Sequence, residues 1–269
     1  MKAAVIQMVS GQDVDQNLEQ AENLLKSIED QEIDLVVLPE MFACLGVKNQ
    51  VALAKARFHE TDVLKTISDW SKRLSTTIIA GSVPLASANT EDRVKASCLV
   101  YGPDGELQTR YDKIHLFDVD VADNKGSYRE SDTFSPGDKP STTTINHKKL
   151  GLSICYDLRF PELFQQYQAQ GCDMISVPSA FTFKTGQAHW EILLRARAVE
   201  TQSFVLAANQ GGKHDDGRET WGHSMIIAPT GEILAEVTES GPGVAVAELD
   251  FDLLQQVRSA MPLVQHKRL

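Results

Sequence analysis

The sequence predicts an α/β sandwich, and three observations predict it. Short apolar runs such as Asp34–Leu38 and Met174–Val177 have the length and composition of buried strands. Segments of helical period separate such runs, as at 63–74 and 189–201. Neither a low-complexity tract nor a fixed repeat interrupts the alternation, which sets solenoids and propellers aside.

Taken in order, Ala3–Val9 reads as the first buried strand. Leu18, Ala21, Leu24, Leu25 and Ile28 then recur at helical spacing and predict an amphipathic helix over 17–30. The strand at 34–38 is stopped by Pro39. A helix over 63–74 and a strand over 77–82 follow. Ser97–Tyr101 and Glu106–Tyr111 flank the turn Gly102-Pro103-Asp104-Gly105 and predict a hairpin. From Asp112 to about Pro140 the chain is polar and without period, a kind of stretch that is usually functional or disordered. Strand, helix and strand return at 149–154, 161–170 and 174–177, followed by the helix at 189–201. Strands at 204–208, 223–228, 232–237 and 244–249 close the chain, and no linker divides it.

Composition excludes several classes of function. The 269 residues carry 26 Lys and Arg against 37 Asp and Glu, a formal charge of −11. Phosphate backbones need a basic face, so nucleic acid is not an expected partner. No apolar run approaches the roughly 18 residues of a membrane span, and the first residues lack a signal-peptide pattern. A cytoplasmic protein with no membrane partner is therefore expected. Cys44, Cys98, Cys155 and Cys172 include no C-x-x-C pair, and the seven histidines show no H-E-x-x-H spacing. Zinc-ribbon, dithiol redox and zincin chemistry are not expected, nor is any metal.

Three segments share one design, an apolar strand that ends on a reactive side chain. In open α/β sheets ligands bind at the carboxyl ends of strands. Leu35-Val36-Val37-Leu38-Pro39-Glu40 places a candidate general base there. Tyr111-Asp112-Lys113-Ile114-His115-Leu116 places an ammonium group suited to a developing oxyanion. Gly151-Leu152-Ser153-Ile154-Cys155 runs into Tyr156-Asp157-Leu158-Arg159-Phe160-Pro161-Glu162, so a strand stops at Cys155 and a helix begins near Pro161. That is the logic of a nucleophile elbow, and the helix N-terminus is expected to favour the thiolate. Taken singly, the glutamate and lysine also read as solvated loop charges and the cysteine as a buried structural thiol. Cys44, Cys98 and Cys172 are read as structural.

Together the three segments, in this chain order, resemble the nitrilase (carbon–nitrogen hydrolase) superfamily over about Lys2 to Asp250. The resemblance implies one carbon–nitrogen hydrolase domain over 1–269, a four-layer α-β-β-α sandwich that assembles into homodimers or larger homo-oligomers. It also implies catalytic roles for Glu40, Lys113 and Cys155, and for Glu130, because Arg129-Glu130-Ser131-Asp132-Thr133-Phe134-Ser135-Pro136-Gly137 is similar to the segment carrying a second glutamate. By composition alone Glu130 is one charge in a polar run. The implied reaction is amide hydrolysis through a cysteine thioester, with no cofactor. Lys113 and the backbone N–H of Tyr156 hold the oxyanion.

Four residues are candidates for binding substrate. Arg197 falls on the apolar stripe of Trp190, Leu193 and Leu194, either as an anchor for a substrate carboxylate or in a buried ion pair with Glu162 or Glu200. Arg159 is a second candidate anchor. Phe181 and His189 belong to stretches that resemble the branch of the superfamily acting on deaminated glutathione. The neighbouring branch acts on α-ketoglutaramate, and both substrates are acidic amides. The longer one needs room beyond its keto-acid end, for which the loop 210–221 is the candidate lining. An N-carbamoyl amino acid amidohydrolase, a non-catalytic interaction protein and a papain-like pairing of Cys155 with His115, His189 or His223 are the alternatives. The sequence leaves open whether 118–130 closes over the site. Gln210-Gly211-Gly212-Lys213 lacks the spacing of a phosphate-binding loop.

Overall fold

Alternation along the first strand decides the architecture. In a computed structural model that describes residues 1–87, 90–120 and 126–268, the strand Lys2–Gln7 sends Ala3 and Val5 to one side and Ala4 and Ile6 to the other. All four are fully buried, so both faces of its sheet must be covered.

That sheet runs in the order Gly243–Glu248, Lys2–Gln7, Leu35–Val37, Thr77–Ile79, Thr90–Tyr101, Val83–Ser87, with Leu107–Asp112 paired to Thr90–Tyr101. Its middle is parallel, with Ala3 opposite Leu35 and Leu35 opposite Thr77. The second sheet runs Ile233–Glu236, Met225–Ile227, Phe204–Ala207, Met174–Ser176, Lys148–Leu152, Thr142–Ile145. Here too the centre is parallel, with Leu150 opposite Met174 and Met174 opposite Phe204.

Helices Val14–Lys26 and Val63–Leu74 cover one face of the first sheet, where Ala21, Leu25, Ile67 and Trp70 join Ala4, Ile6, Val36 and Ile78 in one core. The other face shares a second core with the second sheet and with helices Pro161–Ala169 and Phe183–Thr201, through Phe164, Tyr167, Trp190 and Leu194. The layers are therefore α-β-β-α. Strands buried on both faces read as continuous apolar runs, which is why the central ones were legible as short hydrophobic stretches.

The structure departs from the sequence reading where a segment lacks period. Within the polar stretch after Asp112, Asp118–Asp120 pairs antiparallel with Ser127–Arg129, and a 3-10 turn follows at Glu130–Asp132. Residues 121–125 lie outside the described residues. Side chains and distant backbone hold this stretch, with Arg129 donating to the Val119 carbonyl at 3.0 Å and Val94 N–H to the Thr133 carbonyl at 3.1 Å. Helix Gln50–Arg57, capped by Asn49, and helix Phe251–Ala260, capped by Asp250, were not expected. The helix expected at 189–201 begins earlier, at Phe183, and the absence of a Cβ at Gly186 lets its first turns pack against Trp221. Val83–Ser87 contains Pro84 and is tolerated as a strand because it lies at the sheet edge.

Candidate active site

The strand ends bring the three reactive segments together. Glu40 follows Leu35–Val37 at a sharp turn where Met41 adopts φ +54° and its N–H donates to Ser82 Oγ at 3.0 Å. Gly81 is required behind this turn, since it has φ +45° and a Cβ there would overlap the Pro39 carbonyl. Lys113 lies just past Leu107–Asp112, and its N–H donates to the Ala96 carbonyl at 2.9 Å. Cys155 follows Lys148–Leu152 at φ +49°, a left-handed conformation rarely taken by a side-chain-bearing residue. Its N–H donates to the Pro178 carbonyl at 2.9 Å, and the turn Cys155–Arg159 leads into the helix opened by Pro161.

Lys113 Nζ stands 2.8 Å from Glu40 Oε1 and 3.0 and 2.9 Å from the two oxygens of Glu130. Glu130 is fixed in turn by the Phe117 N–H, which donates to Oε2 at 2.6 Å. Burial alone would push Lys113 down, but the charges of Glu130 and Glu40 outweigh it and hold the ammonium well above its usual range. Burial pushes Glu130 up, against the lowering pull of Lys113.

The surroundings of the Cys155 thiol work against the thiolate expected from the following helix. Burial, then the charge of Glu40, push the thiol well above the ordinary range, against Lys113 and the Ala180 N–H, which favour the anion. The thiol is hydrogen-bonded to Glu40, a base placed to take its proton before attack.

These side chains open on a cavity of about 480 Å³. Glu40, Lys113, Glu130, Cys155, Tyr156, Arg159 and Phe181 all line it. Leu45, Val47, Phe117 and Phe134 supply apolar wall, and Lys48, Arg129 and Arg218 add positive charge. Arg129 and Arg218 are paired, with Asp120 and Asp216, both at 2.9 Å. Arg159 has no carboxylate within ion-pairing distance among the described residues; its guanidinium lies 5.3 Å from the Phe181 ring centroid, and Nη1 is 3.3 Å from His189 Nδ1. His189 is exposed and outside the lining, so it reaches the cavity only through Arg159. From the segment 118–130, Ser127, Tyr128, Arg129 and Glu130 line the wall; from the loop 210–221, Arg218 does.

Arg197 is not brought to the site. Its Nε and Nη2 donate to the Leu158 carbonyl at 3.1 and 2.8 Å, and Nη1 pairs with Glu200 at 2.8 Å. Of its two suggested partners Glu200 is the one it meets, and its face of the helix points into the core. Among the described residues no histidine lines the cavity: His115 binds Asp157 at 2.7 Å and His223 binds Glu236 at 2.6 Å, so no Cys–His couple forms. Cys44, Cys98 and Cys172 are buried and unpaired, and burial raises Cys44 to about 12 and Cys172 to about 11. No cluster among the described residues has the donor set of a metal site.

Sequence reasoning missed a pair of supporting amides. Gln210 Nε2 donates to the Glu40 carbonyl at 3.0 Å and to Ser10 Oγ at 2.8 Å. Asn209 Oδ1 accepts the Phe181 N–H at 3.0 Å, steadying the loop whose Ala180 N–H meets the thiol. Their signal was present, because both follow the apolar strand Phe204–Ala207, as Glu40 and Cys155 follow theirs.

The fold and a strand-end cysteine flanked by carboxylate and ammonium agree with one family. The model for carbon–nitrogen hydrolases matches residues 2–259, and the chain belongs to that family. It is an amide-hydrolysing enzyme. It is 40% identical over 265 residues to the deaminated glutathione amidase of Yersinia enterocolitica, covering 98% of this chain and 92% of that one. To the human omega-amidase NIT2 it is 36% identical, covering 99% and 95%. The crystal structure of the Caenorhabditis elegans NitFhit protein superimposes with a TM-score of 0.92 at 33% identity, over 99% of this chain; the chain spans 65% of that longer one. No helix among the described residues is long and apolar enough to cross a membrane.

Proposed function

We propose that the protein hydrolyses deaminated glutathione through a thioester on Cys155. The observation that carries the chemistry is one ammonium, Lys113, held between Glu40 and Glu130 beside the Cys155 thiol. Glu40 takes the thiol proton, and Sγ attacks the amide carbon. The negative charge that grows on the carbonyl oxygen falls to Lys113 and the Tyr156 N–H, each such donor lowering the barrier by about 3–4 kcal/mol. Glu40 passes its proton to the amide nitrogen, which leaves as the amine of cysteinylglycine, or as ammonia where the substrate is α-ketoglutaramate. Water then gives a proton to Glu40 and its oxygen attacks the thioester, releasing the acid, and the proton returns to sulfur. Glu130 keeps the ammonium aimed between the two steps.

The substrate class follows from the wall. Arg159 presents to the cavity a guanidinium without a carboxylate partner among the described residues, suited to a carboxylate on an acidic amide. Phe181 stacks beside it and fixes its direction. Lys48, exposed and without a carboxylate partner among the described residues, adds a second cation to the lining. Two cations in an otherwise acidic chain favour a substrate with a carboxylate at each end, as deaminated glutathione has, over the shorter α-ketoglutaramate. The activity named for the Y. enterocolitica relative supports the same choice, and that of the human relative supports the alternative.

The decisive experiment is release of the shared acid product, 2-oxoglutarate, from both amides, with Cys155→Ala as blank. A preference for deaminated glutathione that vanishes in the variant supports the reading. A preference for α-ketoglutaramate keeps the mechanism and changes the substrate. Turnover of neither, or full activity in the variant, overturns it.

We further infer a cytoplasmic homo-oligomer. Four unpaired cysteines fit a reducing compartment. Ile192 and Val199, 68% and 48% exposed on the outer face of Phe183–Thr201, fit a surface covered by a second copy. Light scattering tests the assembly; a monomer at all concentrations would refute it.

A further inference from the structure

Lys113 and Cys155 sit on separate segments, yet the oxyanion must meet both within a few tenths of an ångström. Their side chains share no covalent neighbour. A third residue joins the segments that carry them. Asp157, completely buried, lies two residues past the thiol. Its Oδ2 accepts the Tyr111 hydroxyl at 2.7 Å and the Ile154 N–H at 2.9 Å. Its Oδ1 accepts the His115 N–H at 3.0 Å and lies 2.7 Å from His115 Nδ1.

The placement of these donors is the argument. Tyr111 and His115 stand two residues before and two residues after Lys113. Ile154 stands immediately before Cys155. One carboxylate thus clamps the lysine segment on both flanks and ties it to the backbone of the elbow. With the hydroxyl and two backbone N–H groups donating, an Nδ1–H of His115 would complete the set. All four acceptor positions are then filled, the condition under which a buried carboxylate is tolerated. His115 is further fixed by stacking on Phe160, with ring centroids 3.7 Å apart and planes within 6°. Asp157 does not line the cavity and touches no substrate.

We propose that Asp157 is a positioning residue that sets the spacing of the Lys113 ammonium relative to Cys155 as the oxyanion forms. The proposal rests on the reading that Lys113 and Cys155 perform the chemistry. Asparagine at this position would be nearly isosteric, but its NH2 would face either the His115 donors or the pair from Tyr111 and Ile154. The clamp would open on one side.

The test uses Asp157→Asn and Tyr111→Phe in the full chain. Four quantities are measured: kcat and KM for an amide whose turnover requires Cys155, the rate of Cys155 alkylation by iodoacetamide, and the thermal midpoint. A displacement near 1 Å costs about 100-fold in rate. Asp157→Asn is therefore expected to lower kcat by about 30- to 100-fold with KM within about threefold. Tyr111→Phe removes one of four donors and is expected to lower kcat by about 3- to 10-fold. Alkylation should slow in the same order. A folded Asp157→Asn protein with kcat and alkylation rate within about twofold of wild type overturns the proposal, as does a variant that changes KM alone. If Asp157→Asn does not fold, Tyr111→Phe decides by the same criteria. The alkylation rates require no substrate, so they judge the clamp even if the amidase reading fails.

Discussion

Lys113 and Glu40 are held 2.8 Å apart with side chains only 2% and 7% exposed, so the base and the oxyanion donor of the proposed reaction neutralise each other at rest. Glu130 makes the arrangement a triad, and its contact with the same ammonium at 2.9 Å helps hold Lys113 in place.

Lys113→Met should abolish amide hydrolysis and lower stability at pH 7.5 by about 3–5 kcal/mol, because it strands two buried carboxylates. Burial already raises Glu130, and loss of the ammonium raises it further. The folded variant then binds protons more tightly than its unfolded chain, so its stability rises as pH falls. Thermal midpoints measured from pH 7.5 to 5 should show the deficit against wild type shrinking. A deficit independent of pH would contradict this account. In the wild type the raised Lys113 works in the opposite range, giving stability that is present below 10.5 and lost as pH climbs through its folded value.

Arg159→Ala should raise KM for an acidic amide by about 10- to 100-fold, the worth of charge-assisted hydrogen bonds. The kcat should stay within about threefold, and a neutral amide should be unaffected. Steady-state kinetics with paired acidic and neutral amides make the comparison. Equal losses on both would assign Arg159 to the structure of the wall.

Arg197→Met should behave in the reverse way. It leaves the buried Leu158 carbonyl without two donors, which costs about 1–3 kcal/mol, and it sits outside the cavity. Denaturant titration should report the loss while KM remains within about twofold of wild type. A large rise in KM at unchanged stability would restore it as an anchor.

Brief iodoacetamide treatment at pH 7.5 should modify Cys155 alone, since it opens on the cavity beside a base. Cys44, Cys98 and Cys172 lie in the core away from the cavity and should stay unlabelled until the protein unfolds. Peptide mass spectrometry reads the sites. Saturating acidic amide should protect Cys155.

What the sequence determined by itself was local. Alternation such as Ala3, Ala4, Val5, Ile6 defines strands with two buried faces, and a reactive residue directly after an apolar run marks a strand end. Glu40 and Cys155 carry that signature, whereas Lys113 follows the polar strand Leu107–Asp112 and was legible only in company with the other two. Tertiary structure decided everything that turns on where a charge finds its partner. Glu130 looks like its polar neighbours, yet Phe117 and Lys113, 13 and 17 residues away, draw it into the site. Arg159 and Arg197 offered the same guanidinium, and only packing turned one to the cavity and the other to the Leu158 carbonyl. Asp157 gains its meaning from donors 42 and 46 residues away. The reason is physical. Burial of an apolar face repeats with the backbone and leaves a period, whereas the pairing of a buried charge is set by contacts distant in sequence and leaves none.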